Sequence, residues 1–192
     1  AALARLGGQS ISVDSVEAGS IVKGETLADT IRVVSGYVDA IVLRHPKEGA
    51  ARGAGGVWGG GVGDAGDGAG QHPSQTLLDL YTIRKSMPLD GIDAGLLGDL
   101  RYGRTAHSLA LALSLYGVTL HTIAPTGLEM PVNIAVELRE RGVEVVEHAS
   151  VEEAIRELDV LYVTRIQRER FPDTASYYNV ASSYRITTQL LE

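Results

Sequence analysis

The sequence predicts an α/β fold with parallel sheets covered on both faces by helices. Three observations carry this reading. Compact apolar runs, such as D-A-I-V-L from Asp39 to Leu43, fit strands buried on both faces. Such runs alternate with segments whose apolar residues recur at one-turn spacing. Finally, Ser86 to Gly91 carries proline and glycine, reads as a boundary, and is followed by a second α/β series. The 192 residues allow one large domain or two small ones, and a 44% hydrophobic share supplies an ordinary core.

Taken in order, Ala1 to Gly7 reads as the last turns of a helix closed by glycine. Ile11 and Val13 alternate with polar residues and predict a short strand. Val16 to Glu25, with two glycines and the single lysine Lys23, reads as a loop. Glu25 to Tyr37 reads as a helix with Leu27, Ile31 and Val34 on one face. The strand from Asp39 ends in Arg44-His45-Pro46. Ligands gather at the carboxyl ends of strands in open α/β sheets, which favours Arg44 as an anion contact. A surface salt bridge explains Arg44 equally well.

Ten glycines lie between Gly53 and Gly70. Each weakens a helix or strand interior by roughly 0.5–1 kcal/mol relative to alanine. This predicts a poorly ordered connection and a fragile strand near Val62, with Trp58 packing. The chain then becomes helical at Pro73, which suits a first helical position. Leu77, Leu78 and Tyr81 follow at helical spacing. His72 and Gln75 sit at the mouth of this helix, where free N–H groups attract anions. The same residues also fit an ordinary glycine-rich turn and capped helix, the commoner meaning of such spacing.

In the second series, strands are predicted at 92–97, 118–123, 143–146 and 160–164. Helices are predicted from the G-D-L-R-Y-G-R-T turn through Tyr116, and at 132–141 and 151–158. The last strand runs into Arg165-Ile166-Gln167, a basic residue at another carboxyl end.

Composition narrows the function. The charge of −7 argues against general nucleic-acid binding. No apolar run is long enough for a membrane span. The chain has no cysteine, hence no thiolate nucleophile and no thiolate metal site, which fits a cytoplasmic protein. The glycine spacing of G-D-L-R-Y-G-R is not the dinucleotide fingerprint. His72, His107 and His121 are scattered without ligand spacing, so no metal site and no cofactor are expected.

Five segments, in order and in register along nearly the whole chain, resemble the aspartate carbamoyltransferases, catalytic chain. They are K-G-E-T-L-A-D-T-I from Lys23, I-V-L-R-H-P-K-E-G-A-A-R from Ile41, and A-G-D-G-A-G-Q-H-P-S-Q-T-L-L-D-L-Y-T-I from Ala65. G-D-L-R-Y-G-R-T-A-H-S-L from Gly98 and D-V-L-Y-V-T-R-I-Q-R-E-R-F from Asp159 complete them. The ornithine relatives lack the T-R-I-Q-R-E-R type of segment, which favours aspartate as acceptor.

The resemblance implies two doubly wound domains, 1–88 for carbamoyl phosphate and 89–192 for aspartate. It implies carbamoyl transfer from carbamoyl phosphate to L-aspartate, an early step of pyrimidine synthesis, with no metal in the chemistry. It also implies a homotrimer with active sites shared between subunits; regulatory chains are a further class of partner. Arg44, His72 and Gln75 match the residues that hold carbamoyl phosphate. Arg104, Arg165 and Gln167 match the aspartate-binding residues. Lys23 matches a lysine on a mobile loop that contacts both substrates in the neighbouring subunit. A solvated loop charge is the plain alternative for Lys23.

The sequence also departs from the family. The S-T-R-T-R phosphate loop would precede Ala1, and a proline-leucine loop would follow Glu192. The loop serine falls at Gly19, the usual lysine of G-D-L-K-Y-G-R is Arg101, and the usual asparagine before Q-H-P is Gly70. Both ends therefore read as cut, and this stretch alone is expected to be inactive. A non-catalytic or truncated homologue that only assembles with partner chains is the rival reading. A general α/β anion-binding module would explain the fold but not the motif order.

Overall fold

A computed structural model describes residues 2–13, 24–68, 70–166, 168, 173, 177, 178, 184 and 186–191. By contact the chain forms two compact units, 1–43 with 49–63, and 44–48 with 64–192.

The first unit opens with α1 (Ala2–Arg5). Gly7, at φ 80°, closes it, and the Gly8 N–H bonds the Leu3 carbonyl at 3.0 Å. The strand expected at Ile11 and Val13 does not form. Both side chains are exposed, at 74% and 79%, so no neighbouring strand covers them. The loop expected at Val16 to Glu25 lies mostly outside the described residues, and Lys23 with it.

Helix α2 (Leu27–Val34) is capped by Thr26, whose hydroxyl accepts the Asp29 N–H at 3.2 Å. Strand β1 (Ala40–His45) and strand β2 (Gly61–Asp67) form a two-stranded sheet, and α3 (Ala50–Val57) connects them. The strand expected near Val62 forms as β2, whereas the stretch expected to be a poorly ordered connection holds helix α3. Tertiary packing overrides the local penalty. Ala50, Ala51 and Ala54 are buried, and Ala54 joins Ile31 and Ile41 in a core that Val57, Trp58 and Val62 complete.

The second unit contains α4 (Pro73–Ser86) and a four-stranded sheet. Its strands are β3 (Asp93–Leu97), β4 (Thr119–Ile123), β5 (Glu144–His148) and β6 (Val160–Val163). Their order is β5-β4-β3-β6, with every described pairing parallel. Helices α5 (Arg104–Leu113), α6 (Val132–Glu140), α7 (Val151–Ala154) and α8 (Thr188–Leu191) complete it.

Alternation along the strands assigns the two faces. Leu96 and Leu120 pack with Leu109 and Leu113 of α5 and Leu138 of α6, all fully buried. Leu97 and Ile123 face the other way, onto Val151 and Ala154. Each such aliphatic side chain contributes roughly 1.5–3 kcal/mol on burial. Helix α4 forms from Pro73 as expected; its Leu77, Leu78 and Tyr81 are exposed, while Thr76 and Ile83 face inward.

Candidate active site

Strand β6 sits beside β3 rather than beyond β5, so the strand order reverses at β3. The loops that leave β3 and β6 are therefore neighbours at the carboxyl edge, where α/β proteins bind ligands. The Thr164 N–H bonds the Leu97 carbonyl at 2.8 Å. Gly98, at φ 123°, has no room for a Cβ, which would meet the Thr164 carbonyl oxygen. The buried Asp99 carboxylate accepts the Tyr102 N–H at 3.0 Å and folds G-D-L-R-Y-G-R back on itself. That turn delivers Arg104 to the first position of α5.

Two further elements frame the site. The Asp67 carboxylate, 6% exposed, accepts the Gln71 N–H at 2.7 Å and fixes the approach to α4. His72 is the N-cap of that helix: its Nδ1 accepts the Gln75 N–H at 3.4 Å. Its own backbone N–H donates to Ser108 Oγ on α5 at 3.0 Å, and that hydroxyl donates to Gln71 Oε1 at 2.5 Å. Because Nδ1 accepts, the proton of the neutral ring is on Nε2, which can donate to a ligand oxygen. Arg104 donates from Nη1 to the Gly68 carbonyl.

These elements enclose a cleft of about 650 Å³, lined by His72, Arg101, Tyr102, Arg104, Thr105 and Arg165 among others. Three arginines and two histidines, His72 and His107, line it, and no aspartate or glutamate does. Arg165 is exposed and has no partner among the described residues. The N-terminus of α5 adds free N–H groups and a positive dipole end. An acidic protein thus concentrates positive charge at one place, which suits a ligand with several negative groups.

His107, which also lines the cleft, donates from Nε2 to the Leu100 carbonyl at 2.5 Å. Burial holds its imidazole below the ordinary histidine range, although the Leu100 bond and the Asp99 charge pull the other way. Behind Thr105, burial raises the Tyr162 phenol, opposed by its bond to Thr105 and aided by the charge of Asp79.

The structure brings three expected residues, His72, Arg104 and Arg165, into one cleft. Gln75 donates to Asp79 at 2.9 Å along its own helix and does not line the cleft. Arg44 is exposed on β1 and also does not line it. Gln167 and Lys23 lie outside the described residues. Arg101, Ser108 and His107 join the site although none was picked out as a site residue. The position of Arg101 in the turn after β3 was the available signal. Ser108 and His107 gave none, because they act through helix packing.

A doubly wound α/β unit with a cationic cleft at its strand-order reversal defines an enzyme-like anion binder. Residues 1–85 match the family model for the aspartate/ornithine carbamoyltransferase carbamoyl-P binding domain, and residues 90–192 match its Asp/Orn binding domain. The chain belongs to the aspartate/ornithine carbamoyltransferase family.

It is 86% identical over 191 residues to the aspartate carbamoyltransferase catalytic subunit of Methanoculleus marisnigri, and 73% identical to that of Methanosphaerula palustris. It covers 64% of each of these relatives, and each alignment covers 100% of this chain. Among solved structures, the catalytic subunit of M. jannaschii aspartate transcarbamoylase superposes with a TM-score of 0.89 at 49% identity, covering 100% of this chain and 63% of that one. The Trypanosoma cruzi aspartate transcarbamoylase in complex with carbamoyl phosphate and aspartate gives 0.85 at 37% identity, covering 99% and 61%.

Proposed function

We propose that the protein transfers the carbamoyl group of carbamoyl phosphate to the amino group of L-aspartate, giving N-carbamoyl-L-aspartate and phosphate. The carrying observation is the cleft in which Arg101, Arg104, Arg165 and His72 converge with no lining carboxylate. Both substrates are anions, so such a site holds them together against their mutual repulsion.

In this reading a neutral amine attacks the carbamoyl carbon. The new C–N bond forms, the C–O bond to phosphate breaks, and a proton leaves the nitrogen as phosphate departs. Negative charge grows on the carbonyl oxygen, and pre-aimed donors stabilise it. His72 Nε2–H is such a donor, with Arg44 as its companion and Gln75 as a further carbamoyl-phosphate contact. Arg104, Arg165 and Gln167 take the aspartate carboxylates, and Lys23 reaches both substrates from an adjacent subunit. Residues 1–88 serve carbamoyl phosphate and 89–192 serve aspartate. The ranges of the two family matches support this division.

A cytoplasmic homotrimer with shared sites is the assembly proposed. The name catalytic subunit, carried by the relatives, supports an oligomer. The exposed Leu77, Leu78 and Tyr81 of α4 offer an apolar face for a second copy. No helix among the described residues is long and apolar enough to cross a membrane.

The deciding experiment is a carbamoyltransferase assay on the longest natural chain that contains this sequence, with aspartate and ornithine compared. Turnover with aspartate alone is expected. Turnover with ornithine instead would reverse the acceptor assignment. Intact assembly without turnover on either would favour the non-catalytic homologue. For the shared site, Lys23→Ala and His72→Ala chains should each be inactive and should regain activity when mixed with subunit exchange. No recovery after confirmed exchange would place Lys23 in its own subunit's site.

A further inference from the structure

We propose a second site on this chain: a three-ligand site for a divalent transition cation of zinc's kind, formed by His121, His148 and Glu157. It shares no residue with the cationic cleft. His121 lies on β4 and is 3% exposed; His148 lies on β5, opposite Ile123 in the parallel register. His121 and Ile123 point to the same face, so the two histidines are same-face diagonal neighbours. Glu157 follows α7, the helix that packs on this face.

The geometry is close to that of a metal centre. His121 Nδ1 and His148 Nε2 are 2.8 Å apart. Their ring planes differ by 17° and their centroids stand 5.1 Å apart, as for two imidazoles joined edge to edge by one hydrogen bond. Glu157 Oε2 lies 3.9 Å from His121 Nδ1. The three ligand atoms all fall within 4.8 Å of one another. Zinc bonds of about 2.0–2.2 Å in tetrahedral geometry place ligand atoms roughly 3.3 Å apart. The His–His pair must therefore open by about half an ångström, and the glutamate must close on His121 by about as much and on His148 by up to about 1.5 Å. Glu157 has the freedom to do so, since its side chain is 63% exposed.

The other nitrogen of His121 is also in place. Nε2 lies 3.3 Å from Asp93 Oδ1. A carboxylate on the outer nitrogen is the arrangement that orients metal-bound histidines and fixes their tautomer. With Nε2–H donating to Asp93, His121 Nδ1 presents a lone pair, and the bridging proton belongs to His148 Nε2. Binding then requires only that this proton move to His148 Nδ1 by exchange with water. No oxidant or reductant takes part. Two imidazoles and one carboxylate leave a fourth position for water, a donor set that suits zinc and its neighbours. The bound ion would tie β4, β5 and the turn after α7 together, and binding only to the native state would raise the melting temperature.

The test is zinc titration by calorimetry of the tag-free protein after chelator dialysis, with cobalt absorption as a second probe. One zinc per chain and tetrahedral cobalt bands are expected. His148→Gln should weaken zinc at least about 100-fold and abolish the thermal shift, while circular dichroism stays native. Glu157→Gln, at an exposed position that cannot endanger the fold, should weaken it about 10-fold. No one-to-one binding overturns the proposal. So does binding that neither substitution weakens, which would assign the ion to other histidines such as His45 or His72.

Discussion

Ser108→Ala is the sharpest probe of how the helices set up the cleft. The Ser108 hydroxyl is 6% exposed and joins two partners, accepting the His72 N–H at 3.0 Å and donating to Gln71 Oε1 at 2.5 Å. Alanine keeps the Cβ, so no large cavity opens. The two lost bonds are unequal. Gln71 is exposed, so water replaces its partner at almost no cost. His72 is half-buried at the junction of α4 and α5, and its N–H is orphaned. An unmet buried donor costs about 1–3 kcal/mol, and the partial burial places the expected loss at about 1–2 kcal/mol. For a chain of this size that lowers the melting temperature by roughly 2–8 °C. Scanning calorimetry measures it directly, with Gln71→Ala as the near-neutral control. If Ser108→Ala melts within about 1 °C of the parent, or Gln71→Ala costs more, this hydroxyl does not hold the N-terminus of α4 in place.

Three further outcomes are expected. In the longest natural chain, Arg165→Ala should raise the aspartate requirement roughly 10- to 150-fold, at 1.5–3 kcal/mol per charge-assisted bond, and leave the carbamoyl phosphate response unchanged; an unaltered aspartate curve refutes the role. Gly98→Ala should cost roughly 1–3 kcal/mol from backbone strain alone, read by urea unfolding, and more as its Cβ presses on Thr164; a neutral result would deny the close approach. His107 should make stability depend on pH. Its native pKa is depressed, so below the unfolded value of about 6.5 the unfolded chain binds the proton first, and stability falls with pH until the native value is passed. His107→Gln keeps a donor for Leu100 and should flatten that part of the stability–pH curve; superimposable curves would contradict it.

The second α/β series was legible because its strands are short apolar runs bounded by turn residues, and the elements form where the periodicity puts them. In the glycine-rich stretch the strand near Val62 was legible and the helix α3 was not, for a physical reason. Propensity counts the cost of each glycine, but the alanines of α3 pack inward, Ala54 on Ile31 and Ile41, while Gly53, Gly55 and Gly56 face open space. Leu77, Leu78 and Tyr81 marked α4 correctly, but helical spacing locates an apolar stripe without saying whether this chain covers it. His72 and Arg165 were legible from their places at element ends, and Arg104 only from the resemblance. The His121–His148 pair was hidden, because strand register decides which residues of parallel neighbours meet.

The reversal of strand order at β3 has a consequence for how the protein matures. Arg104 leaves β3, but Arg165 arrives only when β6 docks on the far side, after two intervening strands and three helices have been placed. Such long-range closure is slow, and the loop entropy must be met before its contacts form. Half-folded chains therefore have no complete anion cradle. A polyanionic ligand would recognise only molecules in which β6 has seated, and its presence would draw late intermediates toward the finished sheet.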